Sequence, residues 1–491
     1  MRYNMNMKRG RNFVICASAA LLASALPAKG DAEAAIDRSV MGEKYWKLWN
    51  DDLQREIDAR IEQNRKADWS GDGFPSSVEV RVEQIDSDFK VGCNIFNFDQ
   101  LGDDAQNAEY KSAFRSGGLF NAATLPFYWH AMEPVQGQIR YTSNERDDPA
   151  FWKSFLKGRG VVRHSDKDCP WEWRRPSPDR VIAFCETNGV AMHGHVIIYP
   201  LTHPKWVAQE SSKEEAAKLY EKRIYDIALY YKDRIPQWDV VNESVNRSSS
   251  TANPNDDIFW NETVPTVPWD YTFNAFRLAE RLFPPSVKLA INDCWHDPYT
   301  QFITSLLRRG AKIDVVGIQM HIFVDDHAYA ISQGKPQVTN GTLWAPEDQM
   351  KMLGELDACA HRPIHLSEVT IPAPRNVKGL SREKADAIQA QMVRDNFRLW
   401  FSWPSINRIT YWNLVDSVGG EILYSGFYNR DMTKKPAYFA LHRLVNGEWR
   451  TNLRVKADAS GALAFRGFKG RYRLSWIGAD GKPVSRIVAV K

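Results

Sequence analysis

One rhythm constrains this chain more than any other feature. From about residue 90, short apolar runs alternate with longer stretches of helical period, and the alternation repeats eight times. The runs are "VGCNIFN" from Val91, "AATLPFYW" from Ala122, "VAMHGHVIIY" from Val190, "QWDVVNE" from Gln237, "KLAINDCW" from Lys288, "DVVGIQMH" from Asp314, "IHLSEVTI" from Ile364 and "RITYWNLVD" from Arg408. Between them lie segments such as "KEEAAKLYEKRIYDIALYYKD" and "REKADAIQAQMVRDNFRLWF", whose apolar residues recur every three or four positions. Eight strand–helix units predict the α/β class and a (β/α)8 TIM barrel. Parallel barrel strands are buried on both faces, which explains why these runs stay apolar until their last residues.

Those last residues are polar: His193 and His195, Asn242 and Glu243, Asn292 and Asp293, Gln319 and His321, Glu368, and Asp416. They mark the C-terminal ends of the strands, where barrel active sites are built. Glu243 closes the fourth strand and Glu368 the seventh, on opposite sides of a barrel, so the two carboxylates can face each other across its mouth. Glycoside hydrolysis uses such a pair, one as proton donor and one as nucleophile or base. Two other readings fit the same residues. His193-x-His195, with His321 and Asp293 nearby, could hold a metal ion for hydrolysis. The barrel could also bind sugar without cleaving it.

The flanks differ from the barrel. Residues 1–35 have a basic start ("MRYNMNMKRGR"), an apolar stretch ("NFVICASAALLASAL") and small residues for cleavage, the pattern of a secretory signal peptide. That predicts a secreted or periplasmic protein with no membrane anchor. Residues 36–88 read as a helix and strand appendage, 89–447 as the barrel, and 448–491 as a small all-β appendage with the turn signals "ASG" and "ADG". The five cysteines beyond the leader are too widely spaced for a disulfide framework, though Cys169 could pair with Cys185. A net charge of +4 without a basic block argues against nucleic acid as a partner. The 18 Trp and 18 Tyr suit a carbohydrate ligand, because sugar C–H faces stack on aromatic rings. We expect a monomer with no cofactor and no metal. "DDH", Asp325 to His327, reads as a solvated loop, and Asn246, Asn261 and Asn340 head glycosylation sequons.

Several of the quoted runs also resemble glycoside hydrolase family 10, the retaining xylanase family, over about residues 90 to 446. "WDVVNE" is similar to its acid/base motif, "MHGHVIIYP" to its strand-three Gly-His motif, "KLAINDCW" to its Asn-Asp strand, "GIQMH" to its Gln-x-His strand, and "HLSEVTI" stands at its nucleophile. "YWNLVDS" followed by "SGFYNRDMTKKPAYFAL" resembles its closing strand and helix. The resemblance implies Glu243 as acid/base and Glu368 as nucleophile. It implies sugar contacts from Asn242 (at the 2-hydroxyl), His195, Gln319, His321, Trp412, Trp129 and Tyr199. It also shows departures. Leu125, Pro126 and Tyr128 replace a polar sugar-binding cluster on strand two. Tyr199-Pro200 replaces a Trp-His pair, and Thr370 stands where an acidic neighbour of His321 is expected. The implied activity is a xylanase-like β-glycosidase whose substrate is a decorated xylan, another β-glycan or a plant glycoside.

Overall fold

The structure is a computed structural model that describes residues 37–142, 148–156, 175–208, 212–245, 267–295, 297–339, 341–416 and 424–491. The leader, the three sequon asparagines and Cys169 lie outside these residues. Ser39–Lys491 forms one compact unit.

All eight predicted strands are present: Lys90–Asn94, Ala122–Pro126, Ala191–His195, Gln237–Asn242, Lys288–Cys294, Val315–His321, Ile364–Thr370 and Ile406–Tyr411. Each pairs in parallel with its neighbours in sequence, and the eighth closes on the first with Thr410 opposite Gly92. Their side chains are almost all buried, as two-sided burial requires. Between the third and fourth strands the fit is close: a Cβ on Gly194 would lie 2.2 Å from the Trp238 ring, so only glycine lets that indole pack there.

The helices follow from their sequence pattern. Ser212 accepts from the Glu215 N–H (3.1 Å) and caps Lys213–Tyr231, which buries Ala216, Tyr220, Ile224, Ile227 and Tyr231. Ser381 caps Arg382–Ser402 in the same way. Asp325, expected in a loop, instead opens the helix Asp325–Ser332, with acidic residues at its positive end.

The two ends of the chain are less separate than the sequence suggests. Asn50 caps the helix Asp51–Arg65, whose Leu53, Ile57 and Ile61 join the barrel's own core. Arg65, at its end, donates to the carbonyls of Phe401, Trp403 and Ile406 at the start of the eighth strand. The helix thus lies along the barrel's helix Arg382–Ser402, with Asn64 Nδ2 donating to the Ser402 carbonyl at 3.0 Å. Beyond it, Lys66–Gly71 is a strand and pairs with Leu463–Phe468. Glu79–Ser87 runs between Asn452–Lys456 and Gly470–Ile477. Strands from both ends of the chain therefore build one β module around Val80, Val82, Leu463, Tyr472 and Leu474. The turn signals hold: Gly461 and Gly481 both take positive φ. A stacked pair, Phe401 and Trp449 at 4.0 Å, ties the module to the barrel.

Because Val80 and Val82 are fully buried by C-terminal strands, deleting residues 452–491 should strip their cover. We expect loss of soluble protein, or a clear drop in thermal midpoint. An unchanged midpoint in the truncated chain would contradict a shared module.

Candidate active site

Strand alternation alone would not aim the polar strand ends correctly. In the fourth strand Asp239 and Asn242 both reach partners inside the barrel, although they are three residues apart. In the seventh, Ser367 and Glu368 both do so, although they are adjacent. Each strand carries a one-residue slip in register. Asp239 lies opposite Ala290 while Val241 lies opposite Ile291, and Leu366 lies opposite Ile318 while Glu368 lies opposite Gln319. An extra residue in one strand re-aims every side chain after it. The slips turn Asn242 and Glu368 inward at the mouth.

There the side chains converge. Asn292 donates through Nδ2 to Asn242 Oδ1 (2.7 Å) and Glu368 Oε1 (3.0 Å). Gln319 Nε2 lies 3.3 Å from each of Asn242 Oδ1, Glu243 Oε1 and Glu368 Oε1. The two glutamates therefore meet on one amide nitrogen, and those oxygens are at most twice that distance apart. Glu243 takes a left-handed backbone (φ 52°), and its N–H is tied to the Asn292 carbonyl at 2.8 Å. Strain of this kind is concentrated at functional sites. The following turn is held by Asp293, which accepts from the Val245 N–H at 2.7 Å.

Histidines complete the setting of Glu368. His321 Nε2 lies 3.3 Å from Glu368 Oε2, and its Nδ1 pairs with Thr370 Oγ1 at 2.7 Å. A neutral hydroxyl thus orients His321 where the resemblance leads one to expect a carboxylate. On the other side, His195 Nε2 lies 3.9 Å from Glu368 Oε1, while its Nδ1 meets Asp239 Oδ2 at 2.8 Å. His193 Nε2 meets the same Asp239 oxygen at 2.7 Å. Burial pulls the His195 pKa down. The Asp239 hydrogen bond and the charges of Glu368, Asp239 and Glu243 outweigh burial, and the net shift is upward. His193, dominated by burial, shifts downward. For Asp239 burial acts upward, but both histidines hold its carboxyl well below the usual range. The His-x-His pair is thus organised around a carboxylate. Among the described residues no group of three or more His, Cys, Asp or Glu is arranged to hold a metal ion.

Aromatic rings wall the mouth. Trp412 stands edge-on to His195 (5.5 Å) and to Phe96 (5.2 Å). Tyr128 stands edge-on to His195 (5.5 Å) and to Phe96 (5.5 Å). Tyr199 lies near Glu243: burial and then the charge of that carboxylate push the phenol's pKa well up. Trp129, expected at the sugar, is only 2% exposed. It donates to Glu133 (3.0 Å), abuts Trp206 and Tyr220, and lies under the Arg223 guanidinium, so it supports the loop after strand two and offers no face to a ligand. Asp416 lies apart from the two glutamates, paired with Lys435 (3.0 Å) and Arg375 (3.2 Å). Asp239 and Ser367 were not singled out from the sequence. An aspartate inside the apolar run "QWDVV" was the available signal for the first.

The profile described as Glycosyl hydrolase family 10 matches residues 152–444, more than half of the chain. The chain belongs to glycosyl hydrolase family 10. The matched part begins after the first two strands, which carry the departures at Leu125, Pro126 and Tyr128. A β-1,4-xylanase of Dictyoglomus thermophilum is 24% identical over 324 residues, 59% of this chain and 83% of its own length. The anti-sigma-I factor RsgI6 of Acetivibrio thermocellus is 23% identical over 336 residues, 67% of this chain. Endo-1,4-beta-xylanase A of Thermotoga neapolitana is 24% identical over 289 residues, 55% of this chain. The match spans only 37% and 25% of the length of those last two. Among solved structures, native xylanase 10B of Thermotoga maritima matches with a TM-score of 0.52 at 20% identity, over 74% of this chain and 96% of that one. Xylanase 10B of Thermotoga petrophila RKU-1, solved with xylobiose, gives 0.51 at 19%, over 74% and 95%. These structural likenesses bear on the family-10 barrel fold.

Replacing Asp239 with Asn removes the anion that two buried histidines share, which should cost about 3–5 kcal/mol. The loss depends on pH. The raised His195 contributes stability that is complete below the ordinary histidine value and lost as pH rises through its folded value. The lowered Asp239 contributes stability present above the ordinary carboxylate value and lost as pH falls. The gap in thermal midpoint between wild type and Asp239→Asn should therefore be widest near about pH 5–6 and narrow in alkali. A gap independent of pH would contradict this electrostatic role.

Proposed function

We propose that this family-10 protein hydrolyses β-glycosidic bonds with retention of configuration, with Glu368 as nucleophile and Glu243 as general acid/base. The observation that carries this reading is the contact of both carboxylates with Gln319 Nε2. Oxygens that each lie 3.3 Å from one nitrogen are close enough to accommodate the about 5–5.5 Å of a retaining pair. Glu368 attacks the anomeric carbon while the bond to the leaving oxygen breaks and Glu243 gives that oxygen its proton. Glu243 then takes a proton from water, whose oxygen attacks the same carbon and frees Glu368. Contacts from Asn292, Gln319 and His321 hold and aim the Glu368 carboxyl. Asn242 uses its oxygen on Asn292 and Gln319, so its NH2 is the end suited to a sugar 2-hydroxyl. Trp412, His195 and Tyr199 line the place the ring would take.

The relatives are named for β-1,4-xylan, and one solved relative holds xylobiose. Here Phe96 and Tyr128 wall the mouth, with Leu125 and Pro126 fully buried below. An aromatic surface in place of a polar grip favours a decorated xylan, another β-glycan or a plant glycoside over plain xylan. The leader-like residues 1–35 support secretion or a periplasmic place. A second reading, a barrel that binds sugar as a sensor, is favoured by the relative named as an anti-sigma factor.

Hydrolysis of aryl β-glycosides, plain and decorated xylans and a plant saponin decides between them, with the first-formed anomer read by proton NMR. We expect the β-anomer from a β-linked substrate. Glu368→Ala should fall to background. Glu243→Gln should lose about 10²–10⁴-fold on substrates with poor leaving groups and far less on dinitrophenyl glycosides, which leave without protonation. Full activity in both variants would refute the roles. Sugar binding without turnover in the wild type would establish the sensor.

A further inference from the structure

Thr370 ends the seventh strand directly opposite His321, which ends the sixth. Both are buried, Thr370 completely. The backbone holds them there: the Ile322 N–H donates to the Thr370 carbonyl (3.0 Å), and the Thr339 hydroxyl donates to the His321 carbonyl (2.9 Å). The plane of the His321 ring is set by Phe323, which stacks on it at 5.1 Å, and by Trp412, edge-on at 6.5 Å. In that plane Nδ1 meets Thr370 Oγ1 at 2.7 Å, and Nε2 lies 3.3 Å from Glu368 Oε2. A ring turned over would put carbon against both partners, so the contacts fix which way it faces. The hydrogens follow from the same two contacts. Among the described residues the Thr370 hydroxyl meets His321 and nothing else. If Nδ1 carried a proton, the hydroxyl would accept it, and its own hydrogen would be buried without an acceptor, a costly arrangement. If the hydroxyl donates to Nδ1, its hydrogen is satisfied. The single N–H of the ring then sits on Nε2 and points at Glu368, which as a carboxylate can only accept. Both ends of the chain require the same tautomer.

We propose that Thr370 is a positioning residue for the nucleophile: its hydroxyl donates to His321 Nδ1 and so commits the ring's one N–H to Nε2, aimed at Glu368 Oε2. The inference rests on the reading of Glu368 as nucleophile. A carboxylate at position 370, which the family resemblance leads one to expect, could only accept from Nδ1. It would place a proton there, and Nε2 could then donate to Glu368 only from a doubly protonated ring. A hydroxyl both donates and accepts, so it lets a ring with one proton make both contacts. His195, on the other flank of Glu368, has the opposite backing, because its Nδ1 meets the Asp239 carboxylate at 2.8 Å. One histidine beside the nucleophile is thus held by an anion and the other by a hydroxyl. Once Glu368 is esterified to the sugar, both its oxygens remain acceptors, so the His321 Nε2–H keeps a partner while the covalent bond exists.

The test is the ring nitrogen-15 NMR spectrum of histidine-labelled protein at neutral pH, with His321 assigned by His321→Asn. Wild type should show a bare Nδ1 and a protonated Nε2. A proton on Nδ1, alone or together with one on Nε2, overturns the proposal without recourse to any Thr370 variant. Thr370→Val keeps the shape and removes the hydroxyl. Its Nδ1 signal should move downfield, because a bare ring nitrogen that accepts a hydrogen bond is shielded relative to one that does not. Its kcat/KM on a dinitrophenyl β-xyloside or β-cellobioside should fall about 5–10-fold, the loss of one hydrogen bond. Thr370→Ser retains the donor and should keep both the wild-type signal and the wild-type rate. An unmoved Nδ1 signal in Thr370→Val overturns the proposal, as does an equal loss of rate in Thr370→Ser and Thr370→Val, which would mark a packing role. Failure of the underlying reading is distinguishable: Glu368→Ala would keep full activity, whereas the wild-type ring spectrum is read without reference to turnover.

Discussion

The site depends on two one-residue slips in the register of the barrel. A regular parallel strand shows alternate residues to the interior, and that period cannot present both Asp239 and Asn242, or both Ser367 and Glu368, to inner partners. The slips between the fourth and fifth strands and between the sixth and seventh supply the missing half-period. Everything at the mouth follows from them. Asn242 and Glu368 swing onto Asn292, and Gln319 gathers both glutamates. The same fourth strand still sends Asp239 one layer deeper to His193 and His195.

Burial and contacts then distinguish the two carboxylates. Glu368 is 6% exposed and ringed by donors from the fifth and sixth strands. Glu243 is more open, at the end of its strand in a left-handed conformation, and touches the same Gln319. Asp239 sits behind them as a buried anion whose two histidine partners keep it ionised, and through His195 its influence reaches within 3.9 Å of Glu368. Two carboxylates in unlike surroundings are what acid/base chemistry in one pocket requires.

The strands were legible because two-sided burial leaves an unmistakable apolar run, and the mouth was legible because polarity at strand ends has no other use in a buried barrel. Register was not legible. Nothing in "WDVVNE" or "HLSEVTI" announces an extra residue, since β-branched residues fit a bulge and a regular strand alike. Trp129 was misplaced for a related reason: a sequence motif fixes a residue's position along the chain but not whether Glu133 and Arg223 enclose it. The union of the two chain ends in one β module escaped notice because Lys66–Gly71 and Leu463–Phe468 are partners almost four hundred residues apart, and local pattern carries no information about that pairing.

The most direct test of the account is to trap the reaction half-way. Incubation with dinitrophenyl 2-deoxy-2-fluoro β-xylobioside and β-cellobioside, followed by intact-mass measurement and peptide mapping, asks which side chain bonds the sugar. The account predicts one glycosyl adduct, on Glu368, and its absence in Glu368→Ala. An adduct on any other residue, or time-dependent turnover of the inhibitor with no covalent species, would contradict it.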